Sequence, residues 1–290
     1  MNGIVYHIAS GHSFFSGIAF IIIGTLAAAV PRPIAKRIGA LSLIVGVVGV
    51  LVSSTAIPYW IYGLAAAITV GWIVSQFKHH WHRPTAMLTV GVWALAALIE
   101  LPYHFVSALK PVSTRGLAVI GDSVSAGMGG SNESETWPSI IAREHQLDVQ
   151  NNSHVGETAQ TALKRVQSNP IQTASIVLIE IGGNDLLGST STSKFKKDLD
   201  ALLAHVAVSD RQLLMFELPL PPFCNEYGRI QRRMAAKHNV CLIPKRVFLS
   251  VIADKTSTLD SIHLTQSGHQ QMSDCVWRLV RLAYDANQIE

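Results

Sequence analysis

The chain has 290 residues, 49% of them hydrophobic and 14% charged, with a formal net charge of +4. Soluble domains carry about 25% charged residues, so this composition is not that of an ordinary soluble protein. Nor is the charge that of a nucleic-acid binder. Residues 1–110 hold six Lys/Arg (Arg32, Lys36, Arg37, Lys78, Arg83, Lys110) against one acid, Glu100, a net +5; residues 111–290 hold 17 Lys/Arg against 18 Asp/Glu, a net −1. Basic residues scattered between apolar runs form a membrane pattern.

Four apolar segments occupy this first part, at about 8–30, 38–57, 59–77 and 85–107. A helix needs roughly 20 mostly apolar residues to cross a bilayer, so the expectation for 1–110 is an all-α transmembrane module of four helices. Small residues recur in "GIAFIIIGTLAAAV" and "GALSLIVGVVGVLV", where they allow close helix packing. The start, "MNGIVYHIASGH", has no Lys or Arg and does not read as a cleavable signal peptide. The loops "PRPIAKR" and "KHHWHRP" are basic and "SSTAIPYW" is uncharged. The positive-inside rule then places the two basic loops in the cytoplasm. The N-terminus and everything after residue 110 are expected on the extracytoplasmic side of a bacterial inner or plasma membrane. Tyr59, Trp60 and Tyr62 would join an outer aromatic belt and Trp81 an inner one. His79, His80 and His82 read as an interfacial loop, with metal binding as the alternative. Glu100 reads as an interfacial residue, with pairing to His104, His7 or His12 as the alternative.

Composition changes around "KPVSTR", and residues 111–290 form a second domain. Short apolar runs, expected as strands at 117–120, 149–151, 176–181, 212–217 and 240–243, alternate with amphipathic segments, expected as helices at 136–145, 157–167, 193–207, 227–238 and 265–284. This alternation indicates an α/β domain with a parallel sheet and helices on both faces. Such sheets place sites at the carboxyl ends of strands, where "LAVIGDS" puts Ser123. A serine becomes a nucleophile when a base takes its proton. "LDSIHLTQSGH" offers His263 as that base, with Asp260 three residues before it to orient the ring. Donors for an oxyanion are at hand in the Ser123 N–H, the Gly156 N–H from "NNSHVGETA" and the Asn184 amide from "IEIGGND".

These four blocks, in order over about 175 residues, resemble the SGNH (GDSL-type) hydrolases, and most closely their lysophospholipase and acyl-esterase branch. The resemblance implies a three-layer α/β/α fold with about five parallel strands. It also implies Ser123, His263 and Asp260 as the catalytic triad, an oxyanion hole of Ser123, Gly156 and Asn184, and no metal or organic cofactor. Ser261 and Leu264 depart from the family's usual Gly and Pro in the last block, which touches loop shape rather than the triad. Asp122 and Asp185 are expected to hold turns. His154 and Phe223 are candidate substrate contacts; the "ELPLPPFCNEYG" segment offers an acyl-binding surface or, equally, a rigid loop. His205, His238 and His269 are expected at the surface, and a disulfide among Cys224, Cys241 and Cys275 is left open. The expected partners are membrane lipids and an acyl-ester substrate. The expected function is a membrane-embedded serine ester hydrolase acting on lipid or lysophospholipid esters. The alternatives are an O-acetylesterase of envelope polysaccharide or peptidoglycan, and a catalytically silent binding or transport module.

Overall fold

The computed structural model describes residues 2–77, 82–127, 135–254, 256–258 and 263–285. His79, His80, Trp81 and Asp260 lie outside the described residues, and of His82 only the backbone is described. The chain divides into two compact units. One takes in 105–218 and 230–285. The other takes in 3–104 and, from far along the chain, Pro219–Arg229.

The helical unit contains α1 (Gly3–Ala9), α2 (His12–Ala28), α3 (Pro33–Val52), α4 (Tyr59–Ser75) and α5 (His82–Glu100), then a 3-10 turn, Leu101–His104. The first apolar segment is not one helix. It bends by 89° between α1 and α2, at Gly11, which has a φ of 83°. α3 starts five residues earlier than the apolar run suggests and ends five earlier. Pro33 sets the start, because its fixed φ suits the first helical position and its missing N–H costs nothing there. Ser53, with ψ 140°, ends the helix in extended backbone. α5 gives way at Leu101, because Pro102 has no N–H for an α-helical bond. Among the described residues, two segments, Pro33–Val52 and Arg83–His104, are long and apolar enough to cross a membrane; α1 and α2 pass that test only as a bent pair, and α4 is shorter.

α2 and α3 meet backbone to backbone. A Cβ on Gly46 would lie 2.6 Å from the Gly17 carbonyl oxygen, and one on Gly17 2.8 Å from that of Gly46. Phe14, Ile18, Ile21, Ile61, Trp93 and Ala96 pack inside the unit, and Trp93 Nε1 donates to Thr69 Oγ1 at 2.9 Å. The turn between α3 and α4 is not a free loop, for Ser53, Ser54 and Thr55 are fully buried. Residues 219–229 cover it: Leu220 N donates to Ser54 Oγ, Asn225 Nδ2 to the Ser53 carbonyl and an Arg229 N–H to the Ile57 carbonyl. The Arg229 guanidinium also lies 3.4 Å over the Tyr59 ring. Glu100 is buried and faces His104 at 3.6 Å, and His104 stacks on His12.

The other unit is a five-stranded parallel sheet, ordered β2-β1-β3-β4-β5. Its strands are β1 (Gly116–Gly121), β2 (Asp148–Asn151), β3 (Ile176–Glu180), β4 (Gln212–Phe216) and β5 (Cys241–Ile243). β1 and β3 are buried along their whole length, as strands covered on both faces must be. The helices are α6 (Ser123–Ala126), α7 (Trp137–His145), α8 (Ala159–Ser168), α9 (Gly183–Leu187), α10 (Thr192–Val206), α11 (Asn225–Lys237), α12 (Lys245–Ile252) and α13 (Gln266–Asp285). Short α6 and α9 escape the sequence pattern because so few residues show no period; α12 escapes it too, although Lys245, Phe248, Leu249 and Ile252 are buried at helical spacing. His269 is a correction: it is buried, not at the surface, and its Nδ1 accepts from Trp137 N where α13 packs on α7. Burial lowers its pKa. Cys224, Cys241 and Cys275 are free thiols.

Candidate active site

The strand order 2-1-3 puts the carboxyl ends of β1, β2 and β3 side by side, and the sequence blocks sit there. β1 ends in Gly121 and the chain turns at once into α6, whose first residue is Ser123. Asp122 caps that helix, its Oδ1 accepting from Val124 N at 3.0 Å. Asn152 N donates to the Val119 carbonyl and His154 N to that of Gly121. These bonds prolong the β1–β2 ladder and tie the loop of His154 and Gly156 beside the end of β1. Gly156 is exposed with a φ of 74°. His154 is exposed and its Nδ1 lies 2.8 Å from the Val155 carbonyl.

From β3, Gly182 and Gly183 lead into α9 and deliver Asn184. Its Nδ2 donates to Asp122 Oδ2 at 3.0 Å and to the Glu157 carbonyl at 3.1 Å. The amide thus bridges the β1 and β2 loops, with both its hydrogens engaged. Asp185 turns the other way, accepting from Ala159 N at 2.9 Å at the start of α8. Burial raises its pKa. His263 lies near enough to Asp122 to favour the aspartate's charge. Ser123, Gly156, Asn184 and His154 therefore gather at one edge, with His263 close by. Phe223 belongs to the helical unit.

Sequence reasoning missed Glu180, the last residue of β3. Asp122 N and Ser125 Oγ both donate to its Oε2, at 3.2 and 3.1 Å, and Trp137 Nε1 donates to Ser125 Oγ at 3.2 Å. Burial, and then the Asp122 charge, push the Glu180 pKa well above its usual 4.5. Burial also raises Asp122, against the pull of Val124 N–H, Glu180 and His263. Two carboxyls in one desolvated site cannot both ionise cheaply, which favours the neutral form of Glu180 beside Asp122. The visible signal was a lone acid inside the apolar run "VLIEIGG". Gly121 belongs to the same cluster: a Cβ there would lie 2.5 Å from Ser125 Oγ and 3.0 Å from Glu180 Oε2.

The GDSL-like lipase/acylhydrolase family matches residues 119–271. Esterase TesA of Pseudomonas aeruginosa is 24% identical over 205 residues, 66% of this chain and 96% of its own length. Thioesterase 1/protease 1/lysophospholipase L1 of Escherichia coli is 30% identical over 158 residues, 50% of this chain and 74% of its own length. Among solved structures, TesA aligns with a TM-score of 0.50 at 23% identity, over 58% of this chain and 99% of its own. The psychrotrophic esterase EstA from Pseudoalteromonas sp. aligns at 0.51 and 22%, over 58% and 97%. At these identities the two structures speak for the fold.

Proposed function

Because the chain belongs to the GDSL-like lipase/acylhydrolase family and is a carboxylic ester hydrolase, we propose that it is a membrane-embedded serine esterase that cleaves single-chain lipid esters, lysophospholipids among them, outside the cytoplasm. The observation that carries the reading is the meeting of three strand ends around Ser123, locked by the Asn184 amide between Asp122 and Glu157.

In the proposed reaction Ser123 Oγ attacks the ester carbonyl while His263 takes its proton, with Asp260 orienting the imidazole. The oxyanion is held by the N–H groups of Ser123 and Gly156 and by the Asn184 amide, which turns one hydrogen away from its resting partner. His263 then protonates the leaving alcohol. Water, activated by His263, releases the acid from Ser123. Glu180 fixes Asp122 through the Asp122 N–H, and Asp122 in turn holds both the Val124 turn and Asn184.

The helical unit supports the membrane part of the reading. Large apolar side chains cover its outside: Leu41, Ile44, Leu88 and Leu98 are each 60–65% exposed. Exposed apolar surface on that scale marks a surface meant for lipid or a partner. The basic loops support an extracytoplasmic active site, and the lysophospholipase among the relatives supports the substrate class.

The test is hydrolysis of p-nitrophenyl esters from acetyl to palmitoyl by the detergent-purified full chain and by Ser123→Ala. Activity that rises with chain length and vanishes in the variant is expected. A preference for acetyl would redirect the reading to O-acetylated glycans, and activity that survives in Ser123→Ala would remove the serine mechanism.

A further inference from the structure

The helical unit carries a half-open cavity of about 500 Å³ between α3, α4, α5 and the segment after β4. Its walls are apolar, with Val50, Val70, Ile73 and Trp93 among them. That volume suits one small amphiphile. Along α4 the lining runs from Tyr59 to Ile73, about 21 Å at 1.5 Å per residue. One leaflet of a ~30 Å hydrocarbon core is about 15 Å deep, so the cavity has room for one acyl chain at full length.

Thr69 apart, whose hydroxyl is taken up by Trp93 and the Ala65 carbonyl, the polar lining groups lie toward one end. Tyr62 Oη donates to the Thr55 carbonyl, and Asn225 Nδ2 to that of Ser53. The other atom of the Asn225 amide, Oδ1, is buried and has no hydrogen-bond partner among the described residues. A buried acceptor left unsatisfied is costly and asks for a donor. Beside it, Phe223 has a φ of 69° and is 80% exposed. A bulky residue in the left-handed region is uncommon, and such strain clusters at ligand clamps. Two independent oddities, a strained exposed ring and an orphaned acceptor, thus border one apolar cavity.

We infer that this cavity binds a monoacyl lipid: the chain lies along α4 under Phe223, and the Asn225 side chain turns its Oδ1 into the cavity to accept from a free hydroxyl of the head. The inference rests on the esterase reading for the claim that such a lipid is the substrate class; the binding itself does not need hydrolysis.

The experiment uses the full-length Ser123→Ala protein in nanodiscs and a lysophosphatidylcholine with a diazirine at the end of its chain. Photolabelling is expected on peptides covering 47–51, 59–73 and 223–225. Unlabelled lysophosphatidylcholine should compete at least tenfold better than its O-methyl ether or a diacyl lipid. Ala66→Trp, which fills the cavity, should lower labelling about tenfold. Asn225→Leu, a milder change, should abolish the preference for the free hydroxyl over its ether. Labelling spread evenly over the exposed helix faces, or equal competition by the diacyl lipid, overturns the inference. Wild-type hydrolysis measured in parallel separates the two readings. Localised labelling without any ester hydrolysis strikes at the esterase reading alone; Ser123-dependent hydrolysis without localised labelling strikes at the lipid site alone.

Discussion

Both units bury an apolar core, but they expose opposite things. In the sheet unit Leu117–Ile120 and Ile176–Ile179 are fully buried, and its surface is charged. In the helical unit Ser53, Ser54 and Thr55 are buried and Glu100 is 1% exposed, while leucines and isoleucines face outward. The same side chains obey one rule in both places, that each polar group must find a partner away from lipid or oil. What differs is the solvent each unit is built for. Among the described residues the sheet unit buries five carboxylates, Asp122, Glu157, Glu180, Asp185 and Glu217, and the helical unit buries Glu100, which faces His104.

The sharpest test of this contrast is chemical. Ser123→Ala should lower kcat by roughly 10³-fold or more with the unfolding transition unchanged, because a hydroxyl is removed from a site the fold does not lean on. Kinetics on a p-nitrophenyl ester and a thermal melt in detergent would show both.

Next in size is the buried ion group of the sheet unit. Arg232 Nε donates to Glu217 Oε1 at 2.6 Å, with Lys245 Nζ 3.9 Å from the same oxygen, all nearly inaccessible. Glu217→Ala leaves buried cations without that carboxylate and should cost about 3–5 kcal/mol, read from denaturant unfolding followed by near-UV dichroism.

Close packing can be probed in both units at once. Gly46→Leu forces a side chain against the α2 backbone and Gly121→Ala forces one against Ser125. Each should destabilise by about 1–3 kcal/mol. The expected difference is in activity: Gly121→Ala disturbs the turn that carries Ser123 and should lose kcat, whereas Gly46→Leu should act on thermal stability first. Equal kcat losses would blur the division of labour between the units.

The smallest effect concerns Glu180 and has a sign. Glu180 and Asp122 both have raised pKa values in the fold. A raised acid contributes its stability in full below the unfolded pKa and loses it as pH rises through the folded one. The sheet unit should therefore lose stability as pH climbs above about 4.5, the usual value for Glu180. Glu180→Gln, which mimics the protonated acid, should flatten that decline and change kcat by less than about tenfold. Melting temperatures from pH 4 to 8 would decide it; a slope unchanged in the variant would mean that Glu180 is ionised in the fold.

Much of this molecule is legible in the order of its residues. Strands 117–120 and 176–181 are found within a residue of where apolar runs place them, because a strand covered on both faces leaves an unbroken apolar run; 149–151, part of the edge strand of sequence DVQN, is also found within a residue, though it is partly exposed. Ser123, Gly156 and Asn184 stand at strand ends, which the α/β alternation already dictates. The apolar character of the first 104 residues is equally plain, since composition alone carries it. Other features needed the folded chain. The break at Gly11 depends on one backbone angle. Glu180 looks like an accident in a strand until its partners Asp122 and Ser125 arrive from β1. His269, on an amphipathic helix, could be assigned to either face until α7 packed against it. Most of all, nothing local in Pro219–Arg229 says that this segment packs over Ser53–Ile57, some 166 residues earlier. Local physics writes period, caps and turns into the sequence. Pairings across such distances are selected by shape and by the demand of buried polar groups for partners, and those exist only once the chain has folded.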